Sequence, residues 1–312
     1  MNIHGANTEP YYLFFRAQEN LGSNIKLAYG ALHAIGENES ATSPEKGTRL
    51  IALPTGEEPW GSSTRWRSVK RRMPVVRRFL SQMGLVLVTS AFEDFLTNVI
   101  SEHSRFSGFC REGTVAREPS AGELESGDAI RDLYRSLRWD IKPIEYLLPL
   151  YQYFILVRNC VVHRSGRASK ALVEKAESKA VADCIEGWPS RRGKNIPQLP
   201  QVQEHEDIPL LPRHAILFSE VCQRAAKEID SLLSGFLGVD GMVYMAAYHA
   251  LLAGNPVQIN ARRSPEQIIN LMLTERCHVQ VCDKYEVIQF LKKLNLWRQC
   301  QTKYNKLYPK VK

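Results

Sequence analysis

A single apolar stripe with helical spacing dominates this sequence. Between Val76 and Ile100, apolar residues recur at intervals of three and four, which places their side chains on one face of an α-helix. They are Phe79, Leu80, Met83, Leu87, Ala91, Phe92, Phe95, Leu96, Val99 and Ile100. A helix with so broad an apolar face needs other elements to cover it. We therefore expect this helix to lie at the centre of a helical bundle.

Helical patterns recur along most of the remaining chain, and no segment shows the alternation typical of a strand. The predicted helices cover residues 11–35, as one helix or a helical pair, then 76–100, the segment capped by Asp128 up to Leu137, 144–163, 168–186 and 214–236. Pro149 is expected to start a new helix or to kink the 144–163 segment, and Gly235 or Gly238 to end the last helix. Several long helices joined by loops predict an all-α bundle.

Three stretches rich in Gly, Pro, Ser and charged residues divide these helices, and we predict loops there at 36–74, 104–128 and 187–212. The main domain is predicted to span residues 1–238. Residues 239–312 are predicted to form a small basic module of three helices. Ser264, Pro265 and Gln267 have the pattern of a helix start within it, and so do Asp283 and Glu286.

The charge balance favours a polyanionic partner. The chain of 312 residues has 41 Lys and Arg against 33 Asp and Glu, a formal net charge of +8. Of these 41 cations, 25 are arginines, whose planar guanidinium suits phosphate. Seven cysteines without paired short spacings, and no pattern of a signal peptide, favour a reducing cytoplasm. The longest apolar runs are short or interrupted, so we expect a soluble protein without membrane contact.

The most informative short motif is Arg158-Asn159-Cys160-Val161-Val162-His163, at the end of a helix that is otherwise apolar. Five residues of helix place Arg158 and His163 roughly 140° apart with about 7.5 Å of rise, whereas Asn159 and His163 lie almost on one face. An arginine and a histidine at the end of an apolar helix need a carboxylate, a dimer cleft or a phosphate as partner. The alternative is structural: Arg158 forms an ion pair, and His163 is a cation favoured by the helix dipole.

This hexapeptide resembles the R-x4-6-H signature of the HEPN superfamily, including the Asn that commonly follows the Arg. The segment Ala91-Phe92-Glu93-Asp94-Phe95-Leu96, and Asp207-Ile208-Pro209-Leu210 before a long helix, are similar to bacterial HEPN proteins of the RiboL-PSP or abortive-infection type. The resemblance covers residues 76–236 and not 240–312. It implies a HEPN-like helical bundle, a homodimer, and a metal-independent endoribonuclease that requires no cofactor.

The chemistry that the resemblance implies fits the residue types. A neutral imidazole takes a proton from the RNA 2′-hydroxyl, so His163 is the expected general base. Arg158 is expected to stabilise the charge on the attacked phosphate, and Asn159 to orient His163 or the phosphate. The products would be a 2′,3′-cyclic phosphate and a 5′-hydroxyl. Glu93 is a possible partner of Arg158, although a solvated helix face also explains it.

Several basic clusters are candidates for binding the RNA backbone. They are Arg71, Arg72 and Arg77 with their neighbours Lys70 and Arg78, then Arg131, Arg135 and Arg138, and finally Arg191, Arg192 and Lys194. By helical spacing, Arg131, Arg135 and Arg138 are expected on one face. Ordinary surface charge is the alternative for each cluster. Cys277, His278 and Cys282 lack the spacing of a zinc site, so no metal is expected.

The sequence leaves two classes of function open. The first is a toxic ribonuclease of an anti-phage or toxin–antitoxin system, with an antitoxin or another defence protein as a possible partner. The second is a non-catalytic helical RNA-binding or adaptor protein that keeps the Arg-Asn-x3-His segment as a structural helix end. The basic C-terminal module is equally open: it could recognise nucleic acid, pack on the main bundle or bind a partner.

Overall fold

The structure is a computed structural model of the 312-residue chain. It describes residues 1–40, 50–51, 64–113, 128–188, 198–256, 263–281 and 283–309. For residues 33–40, 50–51, 64–72 and 284, the structure describes the backbone only.

Helices form nearly all of the regular structure in these ranges, which confirms the predicted all-α class. The long helices are α1 (Glu9–Ser40), α2 (Trp66–Glu112), α4 (Leu148–His163) and α7 (Pro212–Ala247). The shorter ones are α3 (Ala129–Leu137), α5 (Lys170–Ala176), α6 (Lys179–Glu186), α8 (Pro265–Leu271), α9 (Lys284–Lys293) and α10 (Trp297–Leu307). A 3₁₀ turn covers Lys142–Leu147, and π-helical turns cover Tyr248–Leu252 and Met272–Arg276. Two-residue strands β1 (Leu50–Ile51) and β2 (Thr64–Arg65) pair antiparallel, with Leu50 opposite Arg65.

Two of the predicted loops are shorter than expected because helices extend into them. At the first, α1 continues to Ser40 and α2 already begins at Trp66, so Pro74 lies inside a helix. The residues before Pro74 are rich in Arg and Lys, which are good helix formers without apolar periodicity. At the second, α2 continues to Glu112 because Phe106 and Phe109 are buried there.

By packing, the chain divides into two units, each built from separate stretches of sequence. The first unit comprises residues 1–17, 91–146 and 223–312, and the second comprises 18–90 and 147–222. The helical path of α7 breaks at Gly238, where φ is 57° and ψ is −167°. This confirms Gly238 as a helix stop, whereas a domain boundary there stays a prediction.

In its described residues, the C-terminal segment contains one helix more than the three-helix expectation. After α9, the helix is interrupted at Asn295, whose φ is 57°, and α10 begins at Trp297. The turn has neither Gly nor Pro, and Asn295 is the one residue there that indicates a helix end, because Asn tolerates the left-handed conformation. At the start of α8, the side chain of Gln267 accepts a hydrogen bond from the Ser264 N–H at 3.0 Å, as predicted.

The second unit is held together by the apolar body of α4. Phe154 stacks on Phe218 of α7 with ring centroids 5.0 Å apart, and Tyr151 packs on the same ring. Close approach of α1, α2 and α7 occurs at Gly84, where a Cβ atom would lie 2.7 Å from Ile25 and 3.3 Å from Ala215. Such packing fixes α4 and the first half of α2 within one rigid unit.

The first unit buries several charged groups. Glu102 pairs with both Arg105 and His249, and Glu9 pairs with Arg276. His249 and Arg276 each lie in a π-helical turn, a distortion that re-aims side chains relative to an α-helix. Burial opposes the ionisation of Glu102, but His249 and Arg105 together lower its pKa. These pairs satisfy charges that would otherwise strongly destabilise the fold.

Two helical stretches, Met73–Glu112 and Pro212–Leu252, are long and apolar enough to cross a membrane by length and composition. Within their most apolar windows, 44% and 56% of the residues are buried by the rest of the chain. Core helices of folded proteins have the same properties, so this feature does not assign the chain to a membrane.

The buried Asp230 predicts a pH dependence of stability. Its Oδ1 accepts hydrogen bonds from the Thr8 N–H at 2.9 Å and the Thr8 hydroxyl, yet burial raises its pKa to about 7. Between about pH 4 and pH 7 the folded chain holds a proton that the unfolded chain has released, so this group lowers stability as pH rises. Asp230→Asn keeps an oxygen that can accept the hydrogen bonds from Thr8 and removes the carboxyl group that titrates.

We expect the free energy of unfolding of the wild type, relative to Asp230→Asn, to fall by up to a few kcal/mol from pH 5 to pH 8. Urea denaturation of both proteins at several pH values measures this difference. If the free energies of unfolding of the two proteins changed with pH in the same way, the raised pKa of Asp230 would be contradicted.

Candidate active site

The Arg-Asn-x3-His segment forms the last turns of α4. Pro149 lies in the first turn of this helix and His163 is its last residue, so the predicted position of His163 at a helix end is confirmed. The N–H groups of Arg164 and Gly166 both donate to the carbonyl of Cys160, at 3.0 and 2.9 Å. These bonds cap the helix and turn the chain away from it.

The turn after His163 depends on left-handed backbone. Ser165 has φ of 54° and Gly166 has φ of 81°, a conformation that glycine adopts without steric cost. Gly166 also has no room for a side chain, because a Cβ atom there would lie 2.6 Å from Gln82 Nε2 and 2.9 Å from Arg78 Nη2. The turn therefore brings the end of α4 against the first half of α2.

Arg158 and Asn159 are neighbours that bind each other. The Nη1 of Arg158 donates to Oδ1 of Asn159 at 3.1 Å, and both side chains are half-buried. Within the described ranges, Nε of Arg158 is buried and has no hydrogen-bond partner. The half-buried guanidinium keeps further N–H donors besides the Nη1 that Asn159 holds. Asn159 thus orients Arg158, and an action of Asn159 on His163 stays a prediction.

His163 is accessible to a ligand. Its side chain is exposed at the end of α4, and Val162 before it is 47% exposed. The five-residue spacing on a regular helix separates the attachment points of His163 and Arg158 by about 7.5 Å along the axis. Around the axis the two residues point roughly 140° apart, but the Arg158 guanidinium turns toward Asn159, which lies almost on the His163 face.

An open groove of about 690 Å³ begins at the residue after His163. Its walls come from the first half of α2, from the turn after α4 and from the segment before α7. They are formed by Val75, Arg78, Phe79, Gln82, Arg164, Ser165, Arg167 and Asp207. Three arginines against one aspartate give the groove a positive charge.

Hydrogen bonds between these distant segments build the groove. Arg167 and Asp207 pair as an antiparallel bridge, and the Ile208 N–H donates to the carbonyl of Gly166 at 3.0 Å. Nη1 of Arg78 donates to Asp207 Oδ2 at 2.5 Å, and its Nη2 donates to the Gly166 carbonyl at 3.4 Å. The hydrogen bond from Arg78 lowers the pKa of Asp207 below its usual range.

The remaining predicted residues are placed as follows. Glu93 lies half-buried on α2 in the first unit, and its pairing with Arg158 stays a prediction. Arg71 and Arg72 lie in α2, with side chains outside the described part. Arg77 stands over the ring of Tyr29, with Cζ 5.5 Å from the centroid.

The predicted arginine face of α3 is interrupted. The helix ends at Leu137, and Arg138 caps it in the left-handed conformation with φ of 56°, so helical spacing does not extend to it. Arg131 pairs with Asp128 at 3.4 Å and Arg135 with Asp132 at 2.8 Å. Neighbouring carboxylates therefore offset two of the three positive charges. The cluster Arg191, Arg192 and Lys194 lies outside the described residues.

Across the described ranges, no group of three or more His, Cys, Asp or Glu is arranged to hold a metal ion. Cys282, one member of the cluster considered from the sequence, lies outside those ranges.

The groove itself is the feature that sequence reasoning missed. Arg78 and Asp207 are 129 residues apart, and no local pattern connects them. One signal was present, because Arg164 and Arg167 flank Gly166 directly after His163.

Comparison with protein-family models, curated proteins and solved structures finds no match for this chain.

The tight turn at Gly166 predicts a specific effect of adding one methyl group. Gly166→Ala forces a left-handed alanine, which costs about 1–2 kcal/mol, and displaces the ends of Gln82 and Arg78. Gly5→Ala is the matched control, since its φ is 73° and a Cβ atom there meets nothing within 4 Å.

We expect Gly166→Ala to lower the free energy of unfolding by more than Gly5→Ala, as measured by urea denaturation. Equal losses would show that the closeness of Gln82 and Arg78 to Gly166 adds nothing to the cost of the substitution.

Proposed function

We propose that this protein is a metal-independent endoribonuclease of the HEPN type. The observation that supports the proposal most strongly is the end of α4, where an exposed His163 follows a half-buried Arg158 whose guanidinium is held by Asn159. The positive groove that starts at Arg164 adds a surface suited to a polyanion. The resemblance of the Arg-Asn-x3-His segment to the HEPN signature points to RNA as the substrate.

In the proposed reaction, RNA supplies its own nucleophile. His163 removes the proton of a 2′-hydroxyl, whose oxygen attacks the adjacent phosphorus. The guanidinium of Arg158, oriented by Asn159, binds the phosphoryl oxygens as their negative charge increases. The bond to the 5′-oxygen breaks, which leaves a 2′,3′-cyclic phosphate and a 5′-hydroxyl. DNA lacks the 2′-hydroxyl and is therefore not cut.

The leaving 5′-oxygen needs a proton, and within one turnover His163 is already occupied as the base. A second copy of the chain would supply His163 of the partner subunit as the acid, so we propose a homodimer. On α2, Val76, Met83 and Leu87 are 37%, 39% and 48% exposed, and their helical angles fall within about 40° of one another. An exposed apolar stripe of this kind is typical of an interface.

The dimer proposal predicts that a charge in the stripe separates the subunits. We expect Leu87→Arg to sediment as a monomer and to lose RNA cleavage while it stays folded. Leu307→Arg is the control, because Leu307 is a similarly exposed leucine, at 41%, on α10. A Leu87→Arg protein that keeps the mass and activity of the wild type would contradict this interface.

The biological role that we propose is a toxic effector of bacterial anti-phage defence or of a toxin–antitoxin system, acting in the cytoplasm. The alternative is a helical adaptor or RNA-binding protein without catalysis. Both functions accommodate an exposed His163 at the end of α4, because the helix dipole also favours a structural histidine there, so RNA cleavage is the property that distinguishes them.

Substitution of the two proposed catalytic residues tests the function. We expect wild-type protein to cleave single-stranded RNA in excess chelator, and His163→Ala and Arg158→Ala to lose at least about 100-fold in rate, the contribution typical of a general base. His4→Ala, at another exposed histidine, should keep the rate of the wild type.

Folding of each variant is checked by its thermal melt. Activity that disappears in chelator, or that survives in folded His163→Ala protein, would refute the mechanism. RNA binding without any cleavage by the wild type would support the adaptor instead.

A further inference from the structure

We infer that the groove formed by Arg78, Arg164 and Arg167 binds the phosphodiester backbone of single-stranded RNA beside His163, and that Asp207 competes with the phosphate for Arg78. This inference rests on the proposed function, because it takes RNA as the substrate. It names a binding site that shares only Arg78 with the basic clusters that the sequence suggested.

The position of the groove connects it to the proposed chemistry. Arg164 and Ser165 line it and directly follow His163, so a strand lying in the groove leads to the imidazole. Arg164 and Arg167 are exposed, and the capped turn at Gly166 holds their backbone in place. Two exposed cations on a capped turn can contact successive phosphates without reorganisation of the backbone.

Arg78 forms the rigid wall of the groove. Its guanidinium is bound to Asp207 and to the Gly166 carbonyl, while its Nε is buried without a partner in the described ranges. The carboxylate of Asp207 occupies the kind of position that a phosphate oxygen takes on an arginine. The Asp207 side chain is 61% exposed and that of Arg78 is 28% exposed, so a phosphate can approach the pair from solvent.

The backbone rather than the ion pair holds Asp207 beside the groove. Its segment is fixed by the bridge to Arg167 and by the bonds of Ala168 to Glu206 and of Ile208 to Gly166. Removal of the Asp207 charge therefore leaves the walls in place. An anion that displaces this carboxylate gains Arg78 as a further contact, whereas the intact carboxylate repels the anion.

The apolar side of the groove indicates single-stranded RNA. Val75 and Phe79 line it and are 66% and 57% exposed. An aromatic ring beside a row of cations is the arrangement on which unpaired bases stack while the backbone follows the positive charge. On α2, Phe79 lies one turn from both Val76 and Met83 of the exposed stripe, so the groove borders the proposed dimer interface.

The test measures binding of a fluorescein-labelled single-stranded RNA to full-length His163→Ala protein, which binds without cutting, across a range of salt concentrations. In this background, Arg164→Ala/Arg167→Ala removes two groove cations. Arg16→Ala/Arg111→Ala removes the same charge from two exposed arginines elsewhere. Thermal melts confirm that each protein is folded.

We expect the groove variant to reduce the slope of log Kd against log salt by about 1.4, or about 0.7 for each phosphate contact to a single strand. The control variant should leave the slope unchanged. Asp207→Asn should bind the RNA several-fold more tightly at low salt, and Phe79→Ala should weaken binding at every salt concentration without a change of slope.

Two failures are distinguishable. If the wild type cleaves RNA but the groove and control variants share one slope, or if Asp207→Asn weakens binding, the groove inference is overturned and the proposed ribonuclease stands. If the wild-type protein does not cleave RNA and the His163→Ala protein does not bind it, the proposed function and the groove inference are both overturned.

Discussion

The left-handed turn at Ser165 and Gly166 is the constraint on which the candidate site depends. Two N–H groups donate to the carbonyl of Cys160 and end α4 at His163. The carbonyl of the same Gly166 accepts from Arg78 and from the Ile208 N–H. One residue without a side chain thus joins the end of α4 to α2 and to the segment before α7. Any larger residue at this position meets Arg78 and Gln82.

The residues before this turn and those at it have different roles. The apolar body of α4 is buried and anchors the helix by packing against Phe218, whereas its last residue and the two arginines after it are exposed. A rigid helix that ends in accessible polar groups positions chemistry more accurately than a loop does. The positive charges lie on both sides of His163 in the sequence: Arg158 precedes it, and the groove cations Arg164 and Arg167 follow it.

The sequence predicted those features that depend on local pattern. The period of apolar residues identified α2, α4 and α7 and the all-α class, and the motif placed His163 at a helix end, because such signals are carried by neighbouring residues. The sequence did not predict the groove, because Arg78, Gly166 and Asp207 meet only after folding. It also misplaced helix ends where Lys and Arg extend α2 without apolar periodicity, and at Arg138, where a left-handed cap interrupts the predicted face.

The central claim is that His163 and Arg158 cleave RNA through its own 2′-hydroxyl, and the position of the cut tests it most directly. The substrate is an oligonucleotide of deoxyribose units with one ribose, incubated with the wild-type protein in excess chelator and analysed by mass spectrometry. We expect a single cut on the 3′ side of the ribose, with a 2′,3′-cyclic phosphate on one product and a 5′-hydroxyl on the other. Cuts at deoxyribose positions, or products with a 5′-phosphate, would contradict the account.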